Sequence, residues 1–176
     1  MEAAQTAKLR EAIREIQDFP KPGILFRDIT PILASGSLFR LSIACFLERV
    51  RPLKPSKVVG IDARGFLFGA AVAYELGIGF VPVRKKGKLP FQTQSAAYSL
   101  EYGESVVEMH VDALEKDEPV VLIDDLLATG GTAAAACKLI HTMGGHLLEN
   151  LFLIELSDLG GAQRLAPHPV HSFLKY

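Results

Sequence analysis

Residues 119–139 read PVVLIDDLLATGGTAAAACKL, and this stretch limits the fold more than any other in the chain. It opens on an apolar run, residues 120–123, with the length and branched side chains of a buried strand. Asp124 and Asp125 follow, and then Thr129, Gly130, Gly131 and Thr132, where the chain must turn. Beyond the turn the sequence is rich in alanine, and Ala133, Ala136, Ile140 and Met143 fall on one helical face. Strand, acidic pair, glycine turn and helix in that order describe a βα unit. In an open α/β sheet such a turn lies at the carboxyl end of its strand, where these sheets bind ligands.

The residue types suit an anion beside a polyol. Glycines let backbone N–H groups approach an anion closely, and the helix that begins there adds its positive end. Thr129 and Thr132 bring hydroxyl donors, so a phosphate monoester fits. Adjacent carboxylates repel and stay ionised only beside donors or cations. Vicinal ribose hydroxyls with a cation nearby would satisfy Asp124 and Asp125, as would a directly bound metal. A Walker A loop needs Lys-Ser or Lys-Thr after its last glycine, and Thr132-Ala133 stands there. The dinucleotide fingerprint needs three spaced glycines, and only Gly130-Gly131 is present. The bland alternative is a tight loop whose glycines turn the chain and whose aspartates cap the helix.

The same logic recurs upstream. Residues 57–61 are a short apolar strand followed by Asp62-Ala63-Arg64-Gly65, and residues 66–76 read as a helix ending at Gly77. Arg64 carries a forked donor suited to pyrophosphate oxygens; a plain Arg64–Asp62 salt bridge is the alternative. Residues 80–83 form a third strand, followed by Arg84, Lys85, Lys86 and Lys88. Such a cluster is ordinarily a solvated face, but at a strand end it makes an anion clamp. Residues 146–155 and 167–176 supply a further strand and a short edge strand. The pattern predicts a doubly wound, mainly parallel α/β sheet.

Elsewhere the chain is quieter. Residues 3–17 read as one amphipathic helix with Leu9, Ile13 and Ile16 on its apolar face, and residues 38–50 as another. Between them, residues 19–31 carry Pro20, Pro22, Gly23 and Pro31 and read as a stiff, extended connector. Within it, Phe26 would fill core and Arg27 would pair with Asp28. Residues 87–105 are polar and long for a loop, which suggests a lid, with segments 97–102 and 106–110 able to pair. A chain of 176 residues with 49% apolar and 22% charged residues is expected to be one domain, 1–176, with an ordinary core. A net charge of −1 gives no general pull toward nucleic acid or an anionic membrane. No run approaches a membrane span and no targeting segment is visible, so the cytoplasm is expected. Cys45 and Cys137 lack metal-ligand spacing and read as buried thiols of a reducing compartment. The five histidines show neither catalytic pairing nor zinc spacing and read as structural.

VVLIDDLLATGGT resembles the phosphoribosyl-pyrophosphate (PRPP) signature of type I phosphoribosyltransferases. FPKPGILFRDITPIL, GIDARGFLFG, RKKGKLP and YSLEYG are similar to the adenine-using branch of that family, and together the motifs span nearly the whole chain. The resemblance implies a hood (19–31) and a mobile lid (87–105) over the sheet's carboxyl edge. It implies transfer of 5-phosphoribosyl from PRPP to N9 of adenine, giving AMP and pyrophosphate. Ala128, Thr129, Gly130, Gly131 and Thr132 would hold the 5′-phosphate, and Asp124 and Asp125 the ribose hydroxyls. Asp62, Ala63, Arg64, Arg84 and Lys88 would hold pyrophosphate, with the Asp62–Ala63 peptide cis. Phe26 would stack on the base while backbone groups at Leu25 and Arg27 read its edge. Glu101 would serve as acid/base partner of purine N7. Mg2+ would ride on PRPP and pyrophosphate without direct protein ligands, and the protein would be a homodimer. The competing readings are a PRPP-sensing regulator without chemistry, against which Glu101 speaks, and a 6-oxopurine transferase, against which LFRD speaks.

Overall fold

The computed structural model describes residues 3–99 and 104–176, which divide into two units, Met1–Glu48 and Arg49–Tyr176. The first begins with α1 (Ala3–Ala12), β1 (Arg14–Gln17), β2 (Leu25–Asp28), α2 (Thr30–Ala34) and α3 (Gly36–Val50), whose last two residues belong to the second unit. The helix expected over 3–17 therefore stops at Ala12. Residues 14–17 instead pair antiparallel with 25–28, Ile16 opposite Phe26. Cross-strand charge favours this: Arg27 pairs with Glu15, and Arg14 lies 3.7 Å from Asp28. Strand pairing outweighs the helical period of a four-residue tail. The expected connector is accordingly the turn and second strand of a hairpin, with Phe19 edge-on to Phe26 at 5.1 Å. Asp28 is buried and takes its hydrogen bonds from the Thr30 N–H (2.9 Å) and hydroxyl (2.7 Å), the turn that starts α2.

The second unit holds seven strands: β3 (Lys57–Ile61), β4 (Gly79–Lys85), β5 (Thr93–Ser99), β6 (Glu104–His110), β7 (Pro119–Leu127), β8 (His146–Glu155) and β9 (Val170–Lys175). Their order is β5-β6-β4-β3-β7-β8-β9. The strands from β4 through β9 in that order are parallel, while β5 and β6 form an antiparallel hairpin joined to β4. Within the segment expected to be a lid, residues 93–99 and 104–105 are strand, and residues 100–103 lie outside the described residues. The helices are α4 (Arg64–Leu76), α5 (Gly131–Thr142) and α6 (Gly161–Arg164). Val120 through Ile123 are fully buried, as a strand covered on both faces requires. The expected α5 face is inside: Ala133, Ala136 and Ile140 are buried in one cluster with Leu122, Leu139 and Phe152. Both cysteines are free and buried. Among the described residues, no helix is long and apolar enough to cross a membrane.

Two packing details set limits on change. The ring of Phe80 occupies the space a side chain would need at Gly60 or Gly69; a Cβ there would lie 2.5 Å or 2.9 Å from it. Phe66 closes the slot edge-on to Phe80 at 5.3 Å. On the same face of the sheet, Glu149 on β8 is 3% exposed. It accepts a forked pair of hydrogen bonds from Arg49, at 2.8 Å and 2.6 Å. Arg49→Ala would leave a buried carboxylate without its cation. Because the arginine is half exposed, we expect a loss of about 2 kcal/mol rather than the larger cost of a dry pair. Urea titration checks this, and Arg49→Ala/Glu149→Leu should recover most of the loss.

Candidate active site

β3 and β7 are neighbours and parallel, with Gly60 opposite Ile123. The turn that follows β3 and the acidic end of β7 therefore meet at one sheet edge. Asp124 and Asp125 lie on the strand itself, which continues to Leu127, rather than beyond it as the sequence suggests. The Asp62–Ala63 peptide is cis, and Arg64 is the first residue of α4.

Arg64 does not pair with Asp62. Its Nε lies 2.8 Å from Asp125 Oδ2, while Asp62 Oδ2 accepts from Arg84 Nε at 2.9 Å. Asp125 is 4% exposed, and its Oδ2 accepts no hydrogen bond despite that ion pair. The contact is charge against charge and leaves a lone pair for a hydroxyl or a cation. Asp124 Oδ1 accepts the Asp125 N–H at 2.8 Å. Burial pushes both carboxyls up. For Asp124, which keeps some surface open to the pocket, desolvation dominates and the neighbouring Asp125 charge adds to it, so it is held well above the usual carboxylate range. For Asp125 desolvation again leads, partly offset by the Arg64 guanidinium. A pair in this condition gains from any donor or cation that enters.

These groups line a pocket of about 330 Å3 with Lys85, Tyr98 and Thr132. It runs into a cup of about 210 Å3 formed by residues 126–133 and Asp124. At the cup, α5 starts from Gly130, whose φ of +76° favours glycine, and no side chain caps the helix. The aspartates thus play no capping role, and the first N–H groups of α5 have no acceptor within the helix. Ala128, Thr129, Gly130, Gly131 and Thr132 all line this cup.

Two glycines matter that the sequence reading left without a ligand role. A Cβ at Gly65 would lie 2.6 Å from Asp124 Oδ1 and 3.0 Å from backbone, so only glycine lets α4 approach the acidic strand. Gly161 backs the cup: a Cβ at Gly130 would come within 2.8 Å of its carbonyl oxygen, and a Cβ on Gly161 would collide with the Ala128 carbonyl. Neither contact is local in sequence, so no motif announces it.

At the basic strand end the order of preference changes. Arg84 is engaged by Asp62 and by the Lys88 carbonyl, which accepts from Nη1 at 3.1 Å. Lys85 is the cation that lines the pocket, whereas the sequence favours Arg84 and Lys88. Lys88 is exposed. Strand alternation selects Lys85, since β4 runs through it before the turn. Glu101 lies outside the described residues. Leu25, Phe26 and Arg27 sit on β2 of the first unit, with Leu25 exposed.

Comparison with known proteins agrees with this geometry. The phosphoribosyl transferase domain matches residues 33–155. An adenine phosphoribosyltransferase of Escherichia coli is 52% identical over 171 residues, covering 97% of this chain and 93% of that protein. The crystal structure of the Rhodothermus marinus adenine phosphoribosyltransferase superposes with a TM-score of 0.94 at 49% identity, over 99% of this chain and 100% of that one. The Saccharomyces cerevisiae enzyme, complexed with an imino-altritol bisphosphate and adenine, gives 0.95 at 40% identity, over 98% and 100%.

Proposed function

Because this chain belongs to the phosphoribosyl transferase family, we propose that it transfers the 5-phosphoribosyl group of PRPP to N9 of adenine, giving AMP and pyrophosphate. One observation carries the reading. Two adjoining pockets share Asp124, Leu126 and Thr132: one is the glycine cup, and the other holds both carboxylates with Arg64 and Lys85. Phosphate, vicinal diol and pyrophosphate follow one another along PRPP in that order.

In the reaction N9 forms a bond to C1′ as the C1′–oxygen bond to pyrophosphate breaks, and pyrophosphate leaves with the electron pair. The N–H groups at the start of α5 and the Thr129 and Thr132 hydroxyls hold the 5′-phosphate. Asp124 and Asp125 accept from the ribose hydroxyls and place C1′ for attack from one side. Arg64 and Lys85, with Arg84 and Lys88 behind them, take up the charge that collects on the leaving group. Asp62 steadies Arg84, and Ala63 offers backbone to pyrophosphate. Leu25, Phe26 and Arg27 supply the base contacts, and Glu101 manages the ring proton at N7 as N9 reacts.

Magnesium enters as part of the substrate. Asp125 Oδ2 is ion-paired with Arg64 and accepts no hydrogen bond. This donor set fits a hard cation that keeps its water and substrate oxygens. When bound with the substrate, the ion would neutralise charge on pyrophosphate. A cytoplasmic homodimer is the setting this reading implies, and sedimentation of the purified chain tests the assembly.

The activity is tested by supplying PRPP, Mg2+ and each purine in turn. AMP should form from adenine alone. Phe26→Ala should raise the adenine KM about tenfold or more, the scale of a lost stacking contact, and Glu101→Ala should lower kcat with PRPP binding intact. Turnover on a 6-oxopurine would overturn the base assignment. PRPP binding without turnover on any base would make the chain a sensor.

A further inference from the structure

We infer that His141 and His168 form a two-imidazole site for a divalent transition-metal ion, outside the phosphoribosyl groove. The residues stand 27 positions apart in sequence, which is why no ligand spacing is visible there. His141 is in the last turn of α5, and His168 follows α6 with its N–H bonded to the Leu165 carbonyl at 3.0 Å. Their Nε2 atoms face each other at 3.2 Å, with ring centroids 4.8 Å apart and planes tilted by 30°.

That geometry is the one a tetrahedral ion requires. Two nitrogens at about 2.0–2.1 Å from one ion stand roughly 3.3 Å apart, and their ring centroids about 5 Å apart. A pair already so placed needs no rearrangement to bind. The rings open onto a pocket of about 350 Å3, which leaves room for water at the remaining positions.

The surrounding charges set the strength. The carboxyl end of α5 favours a cation. Lys138 from α5 and Arg164 from α6 line the same pocket and oppose one. Cys137 also lines it, but its thiol donates to Asn150 at 3.2 Å and burial pushes it up to about 12, so it stays protonated. The site is therefore a two-ligand one, and affinity should improve as salt screens Lys138 and Arg164.

The test uses the full chain without a tag, titrated with Zn2+ against a chromophoric chelator and with Co2+ by visible absorption. One equivalent should bind with a Kd on the order of micromolar, with the intense spectrum of tetrahedral Co2+, weakening below the imidazole pKa. His141→Gln and His168→Gln should each weaken binding by about tenfold or more, because glutamine keeps a hydrogen bond but ligates poorly. His146→Gln, exposed on β8, should leave it unchanged, and phosphoribosyl transfer should persist in all three as the check on folding. Absence of a stoichiometric site would overturn the inference and leave the pair as a plain hydrogen bond. Binding that survives both substitutions would overturn it equally.

Discussion

Gly161→Ala should raise the KM for PRPP by about a hundredfold, although Gly161 belongs to no phosphate motif. The new methyl group would fall on the Ala128 carbonyl and within 2.9 Å of the Leu127 side chain. Neither neighbour is the free end of a flexible side chain. Leu127 is buried at the end of β7, and Ala128 opens the cup. The carbonyl is the easier one to move, and Gly130, pressed against the Gly161 backbone from the other side, must move with it. Donors aimed at a phosphate lose their geometry over a fraction of an ångström. Losing one or two charge-assisted hydrogen bonds, at about 1.5–3 kcal/mol each, accounts for the size of the effect. Overpacking should also cost about 1–3 kcal/mol of stability. Steady-state kinetics with adenine held saturating checks the claim. A variant with a normal PRPP KM would mean that α6 retreats instead and that the cup does not depend on it.

Asp124→Asn should separate activity from stability. On the proposed assignment of Asp124 to a ribose hydroxyl, turnover should fall about a hundredfold as a charged acceptor becomes a neutral one. The ligand-free protein should nevertheless melt about 2–4 °C higher near neutral pH for each kcal/mol gained. The sign follows from linkage. The folded-state pKa of Asp124 is raised by desolvation and by Asp125, so the folded state holds the proton more tightly than the unfolded chain. The stability this confers is present below the ordinary carboxylate pKa and is lost as pH rises through the raised value. Above that value the folded protein carries a poorly solvated charge that asparagine lacks. Asparagine can still accept the Asp125 N–H through its amide oxygen. The advantage of the variant should shrink toward pH 4, below which both forms are neutral at this position. Calorimetry across pH tests it; a variant less stable than the parent at neutral pH would mean that the Arg64 charge outweighs burial. Asp125→Asn should gain less, because it gives up the 2.8 Å approach of Arg64.

The parts of this molecule that were legible in its sequence are those written in consecutive residues. The apolar run of β7, its acidic pair and the glycine cup were foreseen because strand, turn and helix each follow from neighbours a few positions away. The same holds for the βα unit at Asp62–Gly65. What escaped depends on contacts made at a distance. Residues 14–17 kept the period of a helix, and only their pairing with residues 25–28 made them a strand. Arg64 was weighed against Asp62 two residues away, yet its partner is Asp125 across a strand boundary. Lys85 does not stand out in the sequence, because four cations within five positions look alike until strand alternation decides which one reaches the pocket. Gly161 and the His141–His168 pair are invisible for the same reason, since each is defined by an encounter between the end of one βα unit and the loop of another.

The slot that Phe80 fills between Gly60 and Gly69 also says something about descent. A side chain at either glycine, with Phe80 in place, brings carbon atoms into collision, and a smaller residue at position 80, with both glycines in place, opens a void. Each change is harmful alone, and together they can compensate. The order of substitution therefore matters: a lineage must pass through the cavity before it can accept the larger residue, because a void in a core is survivable at a few kcal/mol while a clash beneath the substrate-binding edge is less so. Positions 60, 69 and 80 should drift as a set, and a chimera that swaps β3 without β4 should inherit half of an incompatible pair.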